Sequence, residues 1–296
     1  MTVTEAVGDI LEEIAPGEVT LETIQQRRKA ITETLEGNLK VSDIKPVGSH
    51  TRGTALRTSD ADYLCVIARK HVTYRRQPSN SHRIMDRFVR LVKKRYDRTE
   101  IRKDGQAVTL DFADGGVVDL VPAAYEGTVS ETDGYPVYRI PNGEGGWLRT
   151  SPEALTRYMK EADERWGGRL KAIARAVKSW RATAPEPTPL KGLWIELKLA
   201  SSELVMEVGE SRTKLLARVF RYLADGSFDA ISDPSGASDP VPACRFLDRM
   251  LVQERLEAAA DAAERANELE EGGNAQQARQ AWRDLLIPKP GNATDG

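Results

Sequence analysis

The chain has 296 residues, with 43 lysines and arginines against 45 aspartates and glutamates, and a formal net charge of −2. It therefore has no global positive field to hold duplex nucleic acid non-specifically, and any such contact has to be local. Its two cysteines, Cys65 and Cys244, exclude a disulfide framework and have no metal-ligand spacing; both are expected as buried free thiols. No stretch approaches the ~20 apolar residues of a membrane span, and residues 1–14 carry acids rather than a leader's apolar core. The expectation is a soluble, cytoplasmic enzyme of one large domain or two modest ones.

Residues 4–14 and about 20–40 have helical periodicity, broken at Pro16 and Gly17, with Leu21, Ile24, Ile31 and Leu35 near helical spacing in the second helix. That helix should run directly into residues 47–67, VGSHTRGTALRTSDADYLCVI. Gly48 and Ser49 form a turn whose amides and hydroxyl suit a phosphate. Asp60 and Asp62 lead into an apolar run, Tyr63, Leu64, Cys65, Val66 and Ile67, that suits a buried strand. Residues two apart on a strand share a face, so the two carboxylates project together and repel unless a cation lies between them. Mg²⁺ takes carboxylate oxygens together with substrate phosphates. A phosphate cradle beside a metal-holding pair points to phosphoryl or nucleotidyl transfer; a solvated loop with incidental acids is the plain alternative.

A basic run, residues 69–78, is either solvated or touches a nucleotide or RNA. His71 and His82 have no partner at ligand spacing. Residues 81–96 read as a helix with Ile84, Phe88, Leu91 and Val92 on its apolar face. Residues 107–112 and 117–121 read as a strand pair joined by a turn. Val117, Asp119 and Val121 share one face of the second strand. An unpaired acid buried there costs several kcal/mol, so Asp119 needs a partner or a cation; Asp111 on the partner strand and Asp114 in the turn compete with it for that role. Residues 127–146, rich in glycine, proline and polar residues, read as a linker or lid.

The remainder reads as helical. Ser151 suits an N-cap, with Pro152 at the first helical position. Around residues 168–181, Leu170, Ile173, Val177 and Trp180 line one helical face, and Lys171, Arg175 and Lys178 form a basic stripe beside it at i, i+4 and i+7. Such a stripe is either solvated or set against a triphosphate. Residues 245–270 form a long helix rich in alanine, leucine and glutamate. Asn274 is expected to cap a last helix that docks through Trp282, Leu285 and Leu286, and the polar tail from residue 288 has little to pack.

The pattern of Gly48 and Ser49, a spacer, then Asp60, Ala61 and Asp62 resembles the polymerase-β-like nucleotidyltransferases. With Arg52, Gly53 and Thr54 included, it looks like the bacterial cyclic-oligonucleotide synthases, relatives of animal cyclic GMP-AMP synthase and oligoadenylate synthase. Residues 118–123 resemble that family's third-acid motif, which favours Asp119 over Asp111 and Asp114. Val177, Lys178, Ser179 and Trp180 resemble its phosphate-contacting helix. Residues 190–196 resemble the helix start that follows, with Gly192 where relatives often carry serine. Asp233, Pro234, Ser235 and Gly236 resemble a family turn.

The resemblance implies an α+β protein: a polymerase-β-like nucleotidyltransferase core with a small mixed sheet, then an all-helical lobe, with the site in the cleft between them. The expected division is residues 1–40 as helices bracing both lobes, 41–146 as the core and 147–296 as the helical domain. It implies two Mg²⁺ ions on Asp60, Asp62 and Asp119, and nucleotide contacts from Gly48, Ser49, Lys178 and Lys171. The implied activity is synthesis of a cyclic di- or trinucleotide second messenger from nucleoside triphosphates, ATP with GTP, UTP or CTP, in anti-phage defence. A separate effector would respond to the product, and a ubiquitin-transfer-like regulator could act on the tail ending at Gly296; neither a membrane nor nucleic acid is required. A nucleotidyltransferase toxin modifying tRNA or protein, a tRNA-end-adding enzyme and a non-catalytic nucleotide-binding module are the competing readings.

Overall fold

The computed structural model describes residues 1–36, 39, 41–71, 73–74, 77–78, 80–113, 115–128, 134–204 and 209–288. Helix α1 (Val3–Glu13) opens with a reciprocal cap: Thr2 Oγ1 accepts from the Glu5 amide at 3.1 Å, and the Glu5 carboxylate accepts from the Thr2 amide at 2.7 Å. The helix stops ahead of Pro16 and Gly17, and α2 (Glu18–Glu36) follows. Next come strand β1 (Val41–Pro46), a short helix α3 (Gly48–Arg52), β2 (Ala61–Ile67) and a 3₁₀ turn over Arg69–His71. The two-residue strands β3 (Thr73–Tyr74) and β4 (Gln77–Pro78) form a separate hairpin. Helix α4 (His82–Lys93) precedes β5 (Glu100–Asp104), β6 (Ala107–Asp111), β7 (Val117–Thr128), β8 (Pro136–Pro141) and β9 (Trp147–Thr150). Among the described residues that follow are six α-helices, α5 (Pro152–Arg165), α6 (Leu170–Arg181), α7 (Gly192–Ala200), α8 (Arg212–Asp225), α9 (Arg249–Glu271) and α10 (Ala275–Leu286), with a 3₁₀ turn over Phe246–Asp248.

The described residues pack as two units. One holds residues 16–158 and 232–239; the other holds residues 1–15, 159–231 and those from 240 onward. These boundaries differ from the expected 40/41 and 146/147. Helix α1 belongs with the helical unit and α2 with the sheet unit, so the Pro16–Gly17 break falls at the boundary between units.

In the sheet unit the strand order is β1-β2-β7-β6-β5, with β8 paired to β7 and β9 to β8. Only β2 and β7 run parallel among these pairs. Alternation divides the faces. Ala61, Tyr63, Cys65 and Ile67 of β2 join Val118 and Leu120 of β7 against Ile31 and Leu35 of α2 and Phe88, Leu91 and Val92 of α4. Full burial of side chains such as Phe88 stabilises by about 1.5–3 kcal/mol each. Helix α2 is further tied down by Tyr63, whose hydroxyl donates to the Ile24 carbonyl at 2.8 Å, and by the Arg28 guanidinium on the Ile44 carbonyl. Cys65 is a buried free thiol, as expected, and burial pushes its pKa up; Cys244 is free and only partly buried. On the opposite face Leu64, Val66 and Ala123 form a smaller core with Tyr138 and Ile140.

The expected 127–146 linker or lid holds regular structure: residues 127–128 end β7, and residues 136–141 lead through a turn into 147–150. These last two stretches are β8 and β9, with Val137, Tyr138 and Ile140 buried. Their glycines serve the connecting turn: Gly143 and Gly145 have φ of 86° and 89°, and Asn142 Oδ1 accepts from the Glu144 and Gly146 amides. Residues 129–133 of the expected lid lie outside the described residues.

In the helical unit, Leu170, Ile173, Val177 and Trp180 of α6 are buried, with Trp180 edge-on to Phe220 of α8 at 5.6 Å. The α9 core face is mostly alanine (Ala259, Ala260, Ala263, Ala266), which lets α8 and α10 approach closely. Trp282 and Leu286 of α10 are fully buried. Asn274 occupies the α10 N-cap position, but its side chain makes no capping hydrogen bond. No described helix is long and apolar enough to cross a membrane.

Candidate active site

The site residues of the sheet unit are set by the end of β1. The Val47 amide donates to the Asp62 carbonyl at 2.9 Å, which extends the β1–β2 pairing by one residue. The chain then turns into α3, and Gly48 makes the turn with φ of 74°. That left-handed conformation favours glycine, and space demands it too: a Cβ on Gly48 would lie 1.9 Å from Asp62 Oδ2. The backbone of Gly48 is thus pressed against the Asp62 carboxylate. Gly48 and Ser49 open α3, where first-turn amides have no acceptor within the helix. The predicted Gly-Ser turn is therefore a helix start. Gly53, in the left-handed conformation, closes α3, and the His50 ring nitrogen lies 3.3 Å from the Ser59 carbonyl, drawing the loop before Asp60 back onto the helix.

Asp62 and Asp119 are in register on the parallel strands β2 and β7. Neighbouring strands lie about 4.8 Å apart and residues paired in register face the same side, so the two carboxylates stand side by side on the face away from α2 and α4. Asp119 is in turn in register with Thr109 of β6, whose hydroxyl donates to Asp119 Oδ1 at 2.6 Å. Burial pushes the Asp119 carboxyl above the ordinary range, with Asp104 adding to the effect and the Thr109 hydrogen bond and Arg102 opposing it. Asp111 pairs with Val117 instead and lies 3.9 Å from Arg102 Nη1. Asp114 lies outside the described residues.

Asp60 stands one residue ahead of β2. Among the described residues no three of His, Cys, Asp and Glu gather into a set that could by itself hold a metal, so Asp60 does not join Asp62 and Asp119 in a closed cluster. Mg²⁺ is typically held by one or two carboxylates with waters and substrate phosphates rather than by an all-protein cage. Paired aspartates, an all-oxygen donor set with a hydroxyl fixing one of them, fit a hard divalent cation that arrives with its nucleotide.

Lys178 and Lys171 belong to the helical unit, and neither lies in a solvated stripe. Lys178 is only 7% exposed, and its Nζ lies 3.1 Å from Oε1 of the fully buried Glu196 on α7. At Gly192, where relatives often carry serine, a Cβ would lie 3.3 Å from Lys178 Cε, so the lysine would have to shift by a few tenths of an ångström. Lys171 pairs with Asp163 at 3.2 Å, and Arg175 is half-buried, its pKa lowered by burial against the opposing charge of Asp163. The three cations share helical spacing, but Lys178 faces Glu196 while Lys171 and Arg175 both sit by Asp163. Asp233 is a turn builder: its carboxylate accepts from the amides and hydroxyls of Ser235 and Ser238, at 2.6–2.9 Å.

Sequence reasoning missed Thr109, whose only signal is strand register. It also missed Lys45, on the same face as Asp62, whose Nζ donates to the Tyr138 hydroxyl at 2.8 Å and to Glu153 at 2.9 Å. Burial is the largest influence on Lys45 and lowers its pKa, but these two partners together outweigh it and hold the ammonium above its usual range.

A mixed sheet with two in-register carboxylates beside a glycine-opened helix start, in a chain whose other unit is helical, is the polymerase-β-like nucleotidyltransferase fold. The structural comparisons agree. Escherichia coli MS115-1 CdnC, in complex with HORMA-deltaN, superposes with a TM-score of 0.66 at 20% identity over 99% of this chain and 98% of that one. The Bradyrhizobium diazoefficiens CD-NTase CdnG, in complex with GTP, gives 0.69 at 13% identity over 96% and 98%. The Second Messenger Oligonucleotide or Dinucleotide Synthetase domain matches residues 1–163, and the chain belongs to that family. A curated relative, a probable cyclic nucleotide synthase of Bacillus cereus (strain VD146), is 20% identical over 201 residues, which cover 64% of this chain and 57% of that relative's length. Divalent-metal use is general to nucleotidyltransferases of this kind.

Proposed function

We propose that this protein is a Mg²⁺-dependent nucleotidyltransferase that joins nucleoside triphosphates into a cyclic di- or trinucleotide second messenger. The observation that carries this reading is the in-register pair Asp62 and Asp119 with the Gly48 backbone pressed against it. Asp60, Asp62 and Asp119 would hold two ions. When bound, the metal lowers the pKa of the attacking ribose hydroxyl and neutralises charge at the α-phosphate.

The chain's own residues do the rest. Thr109 holds Asp119 Oδ1, which leaves the second oxygen for the cation or for the hydroxyl proton that Asp119 accepts. The α3 amides at Gly48 and Ser49 take the departing phosphates. Lys171 of the helical unit would exchange Asp163 for phosphate, and Lys178 would serve the triphosphate while keeping its buried partner Glu196. Turning the linear intermediate round in the same site closes the ring.

CdnC has been solved with ATP and CdnG with GTP, which supports ATP and GTP as substrates here; UTP and CTP are the further candidates. The product would act on a separate effector in the cytoplasm during anti-phage defence. The CdnC complex with HORMA-deltaN favours a protein regulator for this chain as well; a ubiquitin-transfer-like regulator at Gly296 would act outside the described residues.

The test is incubation with four labelled nucleoside triphosphates and divalent metal, followed by phosphatase. A phosphatase-resistant small product supports cyclisation. Label transferred to tRNA or protein would replace this reading with a modifying toxin, and bound but unconverted nucleotide would replace it with a binding module.

A further inference from the structure

The β8–β9 pair holds a charged cavity that the proposed chemistry does not use. Alternation along β7 from Asp119 turns Ala124 to the opposite face, where it packs in the core against α2 and α4. Arg139 of β8 pairs with Ala124, and Arg149 of β9 pairs with Arg139. Both arginines therefore stand on the face away from Asp62 and Asp119. With Trp147 they line a cavity of about 310 Å³, and residues 237–239 complete the lining. That second segment is held in shape by Asp233, which accepts from both the amide and the hydroxyl of Ser238. All of these residues belong to the sheet unit.

Like charges directly opposite one another on paired strands repel, and here the compensation is incomplete. One carboxylate, Glu126 of β7, serves both arginines. Its Oε1 accepts from Arg139 Nη2 at 2.7 Å. Its Oε2 lies 3.4 Å from Arg149 Nε, too poorly aimed for a hydrogen bond, and both of these atoms are buried. Burial raises the Glu126 pKa, but Arg139 and Arg149 outweigh it and hold the carboxyl below its ordinary range. Glu126 is thus ionised, and two guanidiniums against one carboxylate leave an excess of positive charge. Asp239 lines the same cavity from an exposed position, yet among the described residues it forms an ion pair with neither arginine.

The ligand that such a cavity rewards is an oxyanion. A guanidinium fork matches carboxylate or phosphate oxygens two at a time, and Arg149 makes no well-formed hydrogen bond of its own to Glu126. The volume lies at the low end for small-molecule pockets, which suits a metabolite rather than a macromolecule. Asp239 disfavours a second negative group. We propose that the Arg139–Arg149 cavity is a binding site, separate from the nucleotide site, for a small molecule carrying a single carboxylate or phosphate group.

Titration of the full chain with inorganic phosphate and with acetate, in EDTA and without nucleoside triphosphates, tests this apart from any synthesis. Phosphorus line broadening and saturation transfer to the acetate methyl read the binding. Arg149→Gln should weaken it at least about 10-fold, the worth of a charge-assisted hydrogen bond. Arg149→Lys, which keeps the charge but not the fork, should fall between the two. Glu126→Gln and Asp239→Asn should do the opposite and tighten binding, because each removes a carboxylate that competes with or repels the anion. A purely structural cluster would not change sign in this way. Melting curves establish that the variants are folded, and Lys160→Gln, an exposed cation of the helical unit, should bind as the unaltered chain does. Saturable binding of phosphate alone identifies a phosphate-bearing ligand, and of acetate a carboxylate. No saturable binding of either probe, affinity unchanged in Arg149→Gln, or weaker binding in a folded Glu126→Gln would each overturn the proposal.

Discussion

Replacing Gly48 by alanine perturbs the site through one methyl group. Gly48 has φ of 74°, where a side chain costs about 1–2 kcal/mol. The added Cβ would lie 1.9 Å from Asp62 Oδ2 and 2.6 Å from its Cγ, where real Cβ atoms keep at least 3.0 Å. Asp62 must therefore move by more than an ångström or leave its rotamer, for roughly another 0.5–1.5 kcal/mol. Gly48→Ala should thus cost about 2–3 kcal/mol of stability, a drop of roughly 5–10 °C in melting temperature. A displacement of that size at a reacting centre costs about 100-fold in rate, so nucleotide turnover should fall at least that far. Gly105→Ala is the control. Gly105 also has a positive φ, 50°, but nothing lies within 4 Å of its added Cβ, so it should lose about 1 kcal/mol and keep its activity. The assays are phosphate release in coupled turnover and thermal melting of each purified variant. Equal activity in the two variants would refute the claim that Gly48 exists to let the backbone approach Asp62.

Three further outcomes follow from the same geometry. Burial holds the Asp119 carboxyl above its ordinary range, so its neutral form favours the fold at acidic pH and this contribution fades as pH rises through that raised value; Asp119→Asn should abolish synthesis yet raise the neutral-pH melting temperature in EDTA, and a fall there would contradict the burial argument. Removing one partner of the buried Lys178–Glu196 pair leaves a lone buried charge, so Lys178→Ala should destabilise by about 3–5 kcal/mol; the double variant K178M/E196L should regain stability but not nucleotide affinity, and recovery of both would remove Lys178 from the nucleotide site. Trp282→Ala should cost about 3–5 kcal/mol in thermal or denaturant unfolding, since the ring is fully buried; a change under 1 kcal/mol would mean α10 is peripheral.

How much of this was legible depended on whether a signal is local. The β2 run and the apolar faces of α4, α6 and α10 announce themselves, because one element's burial is written in its own spacing. Strands β1 and β5 do not: β1 buries only Ile44 and β5 fully buries none of its side chains, so neither has an apolar pattern to read. The 136–150 hairpin was hidden because the glycines and asparagine of its turn have the composition of a linker. The shared face of Asp119 with its neighbours followed from alternation, but its place beside Asp62 and the hydrogen bond from Thr109 depend on strand register, which no single strand encodes. In the same way, the three cations of α6 look alike on a helical wheel. Glu196, which takes Lys178 out of solvent, lies 18 residues away on α7, and Asp163, which takes Lys171, lies on α5.

The central claim is that Asp62 and Asp119, paired across β2 and β7, hold the metal-bound nucleotide for ring formation. Its most direct measurement compares the phosphatase-resistant product made by the unaltered chain, Asp62→Asn, Asp119→Asn and Asp111→Asn from the same four labelled triphosphates. The account predicts product from the unaltered chain and from Asp111→Asn, and a loss of about 100-fold or more in the other two, the usual cost of removing transition-state charge stabilisation. Product from Asp62→Asn or Asp119→Asn at the unaltered rate, or its loss in Asp111→Asn alone, would contradict it.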